Sequence, residues 1–209
     1  MTKGRLEAFT DGVIAILITI MVLELKVPEG TDWGALRHLV PVFLTYVLSW
    51  IFLGIYWNNH HHLFHASERI NGKVLWANLH LLFWLSLVPF TTGWMDENHF
   101  APLPVAAYGG VLLCAGIAYF ILTRVLLATH GHDSLLAKGL GKDFKGKASL
   151  VLYAAAIPLA FVHSWISLAL YIAAIPLAFV DQRISQAIFG FVAAMWLTPS
   201  RSLEAELNH

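Results

Sequence analysis

The chain has 209 residues, of which 58% are hydrophobic and only 12% charged. A soluble domain carries about 25% charged residues, so this composition cannot cover a water-facing surface and reads as a polytopic membrane protein. The 13 basic and 13 acidic residues cancel, which leaves no basic excess to suggest nucleic acid. A single cysteine, Cys114, excludes an intramolecular disulfide and a zinc–thiolate cluster; it reads as buried filler. No cleavable signal peptide is expected. Glu7 and Asp11 interrupt the basic flank, and Glu24 stands where a small-residue cleavage site is needed.

Six apolar segments follow one another, and the expected fold class is all-α with six transmembrane helices. The first, Gly12–Val27, belongs to the stretch Arg5–Pro28. That stretch opens with Arg5, Glu7 and Asp11, runs apolar to Leu23 with Thr19 as its one polar residue, and ends at Glu24, Lys26 and Pro28. The next three are Leu39–Trp57, Val74–Met95 and Val105–Ala128. The last two, Ala148–Val162 and Trp165–Val180, are short for a span of about 20 residues.

Basic residues orient the chain. With the N-terminus in the cytoplasm, Lys3, Arg5, Arg69, Lys73, Arg124, Lys138, Lys142, Lys145, Lys147, Arg183 and Arg201 fall inside. Only Lys26 and Arg37 fall outside. Both termini are therefore expected in the cytoplasm of a multi-pass cell-membrane protein. Trp33, Trp94 and Phe100 sit at the outer ends, where an aromatic belt belongs. The inner stretch 129–147, rich in Gly and Lys, reads as a cytoplasmic connector.

AAIPLAFV occurs at 155–162 and again at 173–180. The offset of 18 residues admits two proline-bearing spans with a turn at His163–Ser164, or one long kinked helix of about 50 Å. The two-span reading is preferred, because the hydrocarbon core is about 30 Å thick. The expected division is a six-helix transmembrane domain, 1–180, and a C-terminal tail, 181–209. Within the tail, Ile184–Thr198 reads as an interfacial or packing helix.

On a helix at about 100° per residue, Gly12, Ile16, Thr19, Ile20 and Leu23 fall within one arc of about 100°, and Val27 joins them if the helix continues. In a lone span such a stripe reads first as packing or lipid contact. Repeated around a symmetry axis, it reads as a hydrophobic constriction with one hydroxyl layer. Asp11, at the membrane edge, needs a partner or a helix N-terminus, and Arg5 is the nearest basic residue able to serve, in the same subunit or through a neighbouring helix. His60, His61, His62 and His65 cluster at the inner end of the second segment. They read as a polar network with Asn58, Asn59, Arg5 and Asp11, ahead of a pH sensor or a metal site. Asn78 and His80 are expected to make interhelical hydrogen bonds.

Arg5-Leu6-Glu7-Ala8-Phe9-Thr10-Asp11 resembles the R-x-x-x-F-[S/T]-D signature of the transmembrane protein 175 family, the potassium channels of endolysosomes and their prokaryotic relatives. The likeness continues through Leu23-Glu24-Leu25-Lys26-Val27-Pro28 and Tyr56-Trp57-Asn58-Asn59-His60-His61-His62-Leu63-Phe64, and extends to about Val180. The resemblance implies six helices without a re-entrant pore loop, a homotetramer, and a central pore lined by the first helix. It implies K+ and other monovalent cations as permeant ions, with no cofactor. It places the main constriction at Ile16, further layers at Thr19, Ile20 and Leu23, and the anchoring of the pore helix at Arg5, Phe9, Thr10 and Asp11.

No nucleophile–base pattern, phosphate loop or intramembrane acid pair is present, so an enzyme is not expected. A proton-coupled transporter would want an ionisable residue mid-membrane, and Gly12–Leu23 has none. A non-conducting assembly protein is the third reading; it predicts no current.

Overall fold

A backbone that leaves water must satisfy its polar groups within its own segment, so long apolar runs fold as helices. The computed structural model describes residues 2–130 and 144–179, and among these it contains seven α-helices and one 3-10 turn.

The first helix, α1, spans Lys3–Ile20 and tightens into the 3-10 turn Met21–Glu24. Leu25 then becomes extended, with ψ of 96°. Val27 precedes Pro28, and a residue before proline is pushed out of the helical region. The helix therefore stops short of Val27, which cannot extend the stripe.

Helix α2 spans Trp33–His65, 33 residues, and is longer at both ends than its apolar run. Asp32 caps it by accepting the Ala35 N–H at 2.9 Å. The whole histidine cluster is consequently helical.

The third apolar segment is two helices, α3 at Gly72–Ser86 and α4 at Val88–Glu97. Pro89 causes the break, since it has no N–H to donate and its ring clashes with the carbonyl four residues back. Helix α5 is Pro102–His130.

Helices α6, Phe144–Val162, and α7, Ser164–Phe179, are separated at His163. Ser167 Oγ donates to the Ala156 carbonyl at 2.8 Å, and the Tyr153 and Tyr171 rings lie 6.4 Å apart. The repeat is thus a helical hairpin rather than one kinked rod. Its two tyrosines, 18 residues apart in sequence, meet across it.

Four of these stretches are long and apolar enough to cross a membrane: Lys3–Glu24, Leu39–His65, Gly72–Glu97 and Pro102–His130. The apolar parts of α6 and α7, Leu150–Val162 and Ser164–Ala173, are shorter. Among the described residues the fold is all-helical, and the chain is a multi-pass membrane protein. The tail 181–209 and most of the connector 129–147 lie outside the described residues.

Helix α5 packs against α3, α4 and α6, while α1 packs against α2 and α3. Leu81, Leu85, Leu112 and Leu122 are fully buried among them. Gly109 is required at its place, because a Cβ there would run into the Tyr171 ring. The four long spans alternate in direction. Lys3, His65, Asn71 and His130 gather at one end, called here the N-terminal end, and Lys26, Glu97, Phe100 and Trp165 at the other. His130 ties the α2–α3 connection to α5, since its Nε2 accepts the backbone N–H groups of Glu68 and Arg69 at 2.9 and 3.0 Å.

Candidate functional site

Helix α1 has two faces. Leu6, Thr10, Ile14, Leu17 and Met21 recur at helical spacing and are buried against α2 and α3. The other side carries Gly12, Ile16, Thr19, Ile20 and Leu23, all exposed on the single chain. Ile16 is 62% exposed, Ile20 47% and Leu23 75%. Thr19 Oγ1 stays within its own helix, donating to the carbonyls of Ala15 at 2.9 Å and Ile16 at 3.1 Å.

The buried face is held by a three-residue relay. His60 Nε2–H of α2 donates to Asn78 Oδ1 of α3 at 2.8 Å, and Asn78 Nδ2 donates to Thr10 Oγ1 of α1 at 2.8 Å. All three side chains are buried, and in an apolar setting each needs its partner. His60 also stacks on Phe64, with ring centroids 4.3 Å apart.

Asp11 is held by Trp57, whose Nε1–H donates to Asp11 Oδ1 at 2.9 Å. Arg5 makes no ion pair with Asp11; among the described residues the one ion pair is Lys26–Glu97 at 3.1 Å. Helical geometry gives the reason, since six residues carry a side chain about 240° round the axis. Phe9 is likewise exposed, at 47%.

The rest of the histidine cluster faces outward. His61 stacks on Trp57 and meets the rings of His62 and His65. Among the described residues no three His, Cys, Asp or Glu side chains gather as a metal site. Asn59 enters through its carbonyl, which accepts from Tyr119 Oη at 3.2 Å. Asn58 is half-buried and makes no side-chain hydrogen bond among the described residues. Asn78 bonds between helices as expected. His80 does not: it accepts from Trp84 Nε1 of its own helix at 2.9 Å.

A second network at the opposite end was not anticipated. Thr45 Oγ1 of α2 donates to Asp96 of α4. One turn on, Ser49 bonds Thr92 of α4 at 2.7 Å and donates to Tyr108 Oη of α5 at 3.2 Å. The available signal was Thr45 and Ser49, four residues apart in the apolar run Leu39–Trp57 of α2, with the Thr91–Thr92 pair to answer them.

These features recur in known proteins. Residues 5–89 match the family model described as "Endosomal/lysosomal potassium channel TMEM175", from the signature Arg5 to the helix-breaking Pro89. A potassium channel of Chryseobacterium sp. (strain P1-3) is 47% identical over 208 residues, covering 100% of this chain and 99% of that one. The chain belongs to the TMEM175 family. The full-length likeness carries the family relationship through the tail, beyond the limit near Val180 drawn from motifs.

The crystal structure of a lysosomal potassium-selective channel TMEM175 homolog from Chamaesiphon minutus superposes with a TM-score of 0.70. It is 29% identical, with 85% of this chain and 96% of that one covered. An endosomal/lysosomal proton channel TMEM175 of Danio rerio is 26% identical over 142 residues, 65% of this chain and 26% of that one. This is a family of channels and not of enzymes, so the chain is a membrane cation channel.

Proposed function

We propose that four copies of the chain surround a K+-permeable pore lined by α1, each copy crossing the cell membrane six times with both termini in the cytoplasm. Ile16, Ile20 and Leu23 form the constricting rings, and Thr19 supplies the one layer of hydroxyls. Such rings regulate permeation by excluding water from a narrow apolar neck. Thr10 and Asp11 hold α1 to its own subunit. Arg5 and Phe9 face a neighbouring copy.

One observation carries this reading. Helix α1 belongs to the least buried of the four long spans, with 28% of its apolar window covered against 39–44% in the others, and its open side is the predicted stripe. The potassium channel of Chryseobacterium supports K+ as the permeant ion.

The test is Ile16→Asn in planar bilayers. A polar ring at the neck keeps it wet, so single-channel conductance rises severalfold over wild type. An unchanged current removes Ile16 from the pore. A reversal potential that follows K+ and ignores an imposed proton gradient excludes obligatory proton coupling.

A further inference from the structure

Away from α1, at the N-terminal end of the bundle, α3 and α5 leave an open groove of about 880 Å³ between them. Lys73, Trp76 and His80 line it from α3; Ile121 and Val125 line it from α5. We propose that this groove binds an anionic phospholipid.

The chemistry is graded along one helix face. Lys73, Trp76 and His80 are spaced by three and four residues and are all exposed, Trp76 at 75%. Lys73 lies in the first turn of α3, at the membrane edge, where its ammonium reaches the phosphate level. Trp76 follows at the depth of interfacial aromatics. His80 lies about 10 Å deeper than Lys73 by helical rise.

His80 defines the ligand further. Its Nε2 accepts from Trp84, so the neutral ring carries its proton on Nδ1. That Nδ1–H has no protein partner among the described residues, and hydrocarbon offers none. A fatty ester carbonyl is an acceptor that belongs at this depth. Ile121 and Val125 present an apolar wall to acyl chains.

The sign of the charge follows from the same surface. Among the described residues the groove's lining contains no Asp or Glu, and the first turn of α3 contains no acid. Among the described residues that line it, Lys73 is the one Lys, Arg, Asp or Glu, and a basic pocket between membrane helices selects anionic headgroups. An anion at the rim, ester carbonyls below it and chains deeper still are together a phospholipid.

The experiment uses the full-length protein in detergent, with phosphatidylglycerol and phosphatidylcholine titrated separately and bound lipid counted by native mass spectrometry. Phosphatidylglycerol binds more tightly to wild type. Lys73→Ala weakens it about fivefold, the effect of one basic residue near an anionic surface, and leaves phosphatidylcholine unchanged. His80→Phe weakens both lipids, which share the ester. Arg37→Ala, an exposed residue near the other end of the bundle, changes neither. Equal binding of the two lipids to wild type overturns the proposal, as does full phosphatidylglycerol affinity in Lys73→Ala. So does a change of oligomeric mass in Lys73→Ala, which would give the groove to a second copy of the chain.

Discussion

The two faces of α1 carry almost the same chemistry and meet opposite surroundings. One presents Leu6, Ile14, Leu17 and Met21; the other presents Ile16, Ile20 and Leu23. Each has one threonine. Thr10 is bonded to another helix through Asn78, whereas Thr19 is bonded only to its own backbone. Apolarity therefore does not separate the packed face from the open face in this helix. What separates them is whether polar groups on neighbouring elements are aimed at the stripe.

The largest expected effect compares the two faces at neighbouring positions. Ile14 is 1% exposed and Ile16 is 62% exposed. Ile14→Ala leaves a cavity between α1 and its neighbours and costs about 2 kcal/mol, the low end for such truncations. A bilayer adds little transfer energy to that packing loss. Ile16→Ala costs far less, because its side chain leaves no filled core behind. Thermal unfolding in detergent reads both. Equal losses would mean that the open face is packed as tightly as the buried one, and would break the contrast.

The relay through Asn78 gives the next effect. Asn78→Leu keeps the approximate volume but removes the acceptor for His60 and the donor to Thr10 together. Two buried polar groups lose their partners, at a cost of about 1–2 kcal/mol. The expected melting temperature lies between those of wild type and Ile14→Ala. A wild-type melting temperature would show that water or a rearranged His60 replaces the amide.

Parts of this arrangement are written locally, and those parts are legible in the sequence. Apolar runs announce the helices because a membrane leaves the backbone little choice. Helical periodicity alone gathers Gly12, Ile16, Thr19, Ile20 and Leu23 on one side, and Arg5–Asp11 carries the family signature. Pro89 was equally visible as a helix breaker, yet the apolar run through it hid the division into α3 and α4. What stays illegible is pairing at a distance. Thr10 and Asn78 are 68 residues apart, and Asp11 and Trp57 are 46 apart. Within one chain Arg5 does not meet Asp11, because proximity along a chain is not proximity on a helix surface. Thr45, Ser49, Thr92 and Tyr108 become a network only once α2, α4 and α5 are packed.

The smallest expected change in stability comes from Thr19→Val, and it divides the two readings of the open face most sharply. Valine matches threonine in shape and removes only the hydroxyl. That hydroxyl returns to the helix's own carbonyls at 2.9 and 3.1 Å, a bond that contributes little to a helix. Unfolding should shift by no more than a few tenths of a kcal/mol, below the average of about 0.6 kcal/mol for an interhelical hydrogen bond in a membrane. Conduction should respond differently. In a ring of four, Thr19 is the one place between Ile16 and Leu23 where a partly dehydrated cation meets oxygen. Thr19→Val therefore lowers K+ conductance while the protein melts as wild type. If the stripe faces lipid, the same substitution leaves the current untouched, because no ion passes the hydroxyl. Stability and current measured on this one variant thus distinguish a wet axis from a greasy surface.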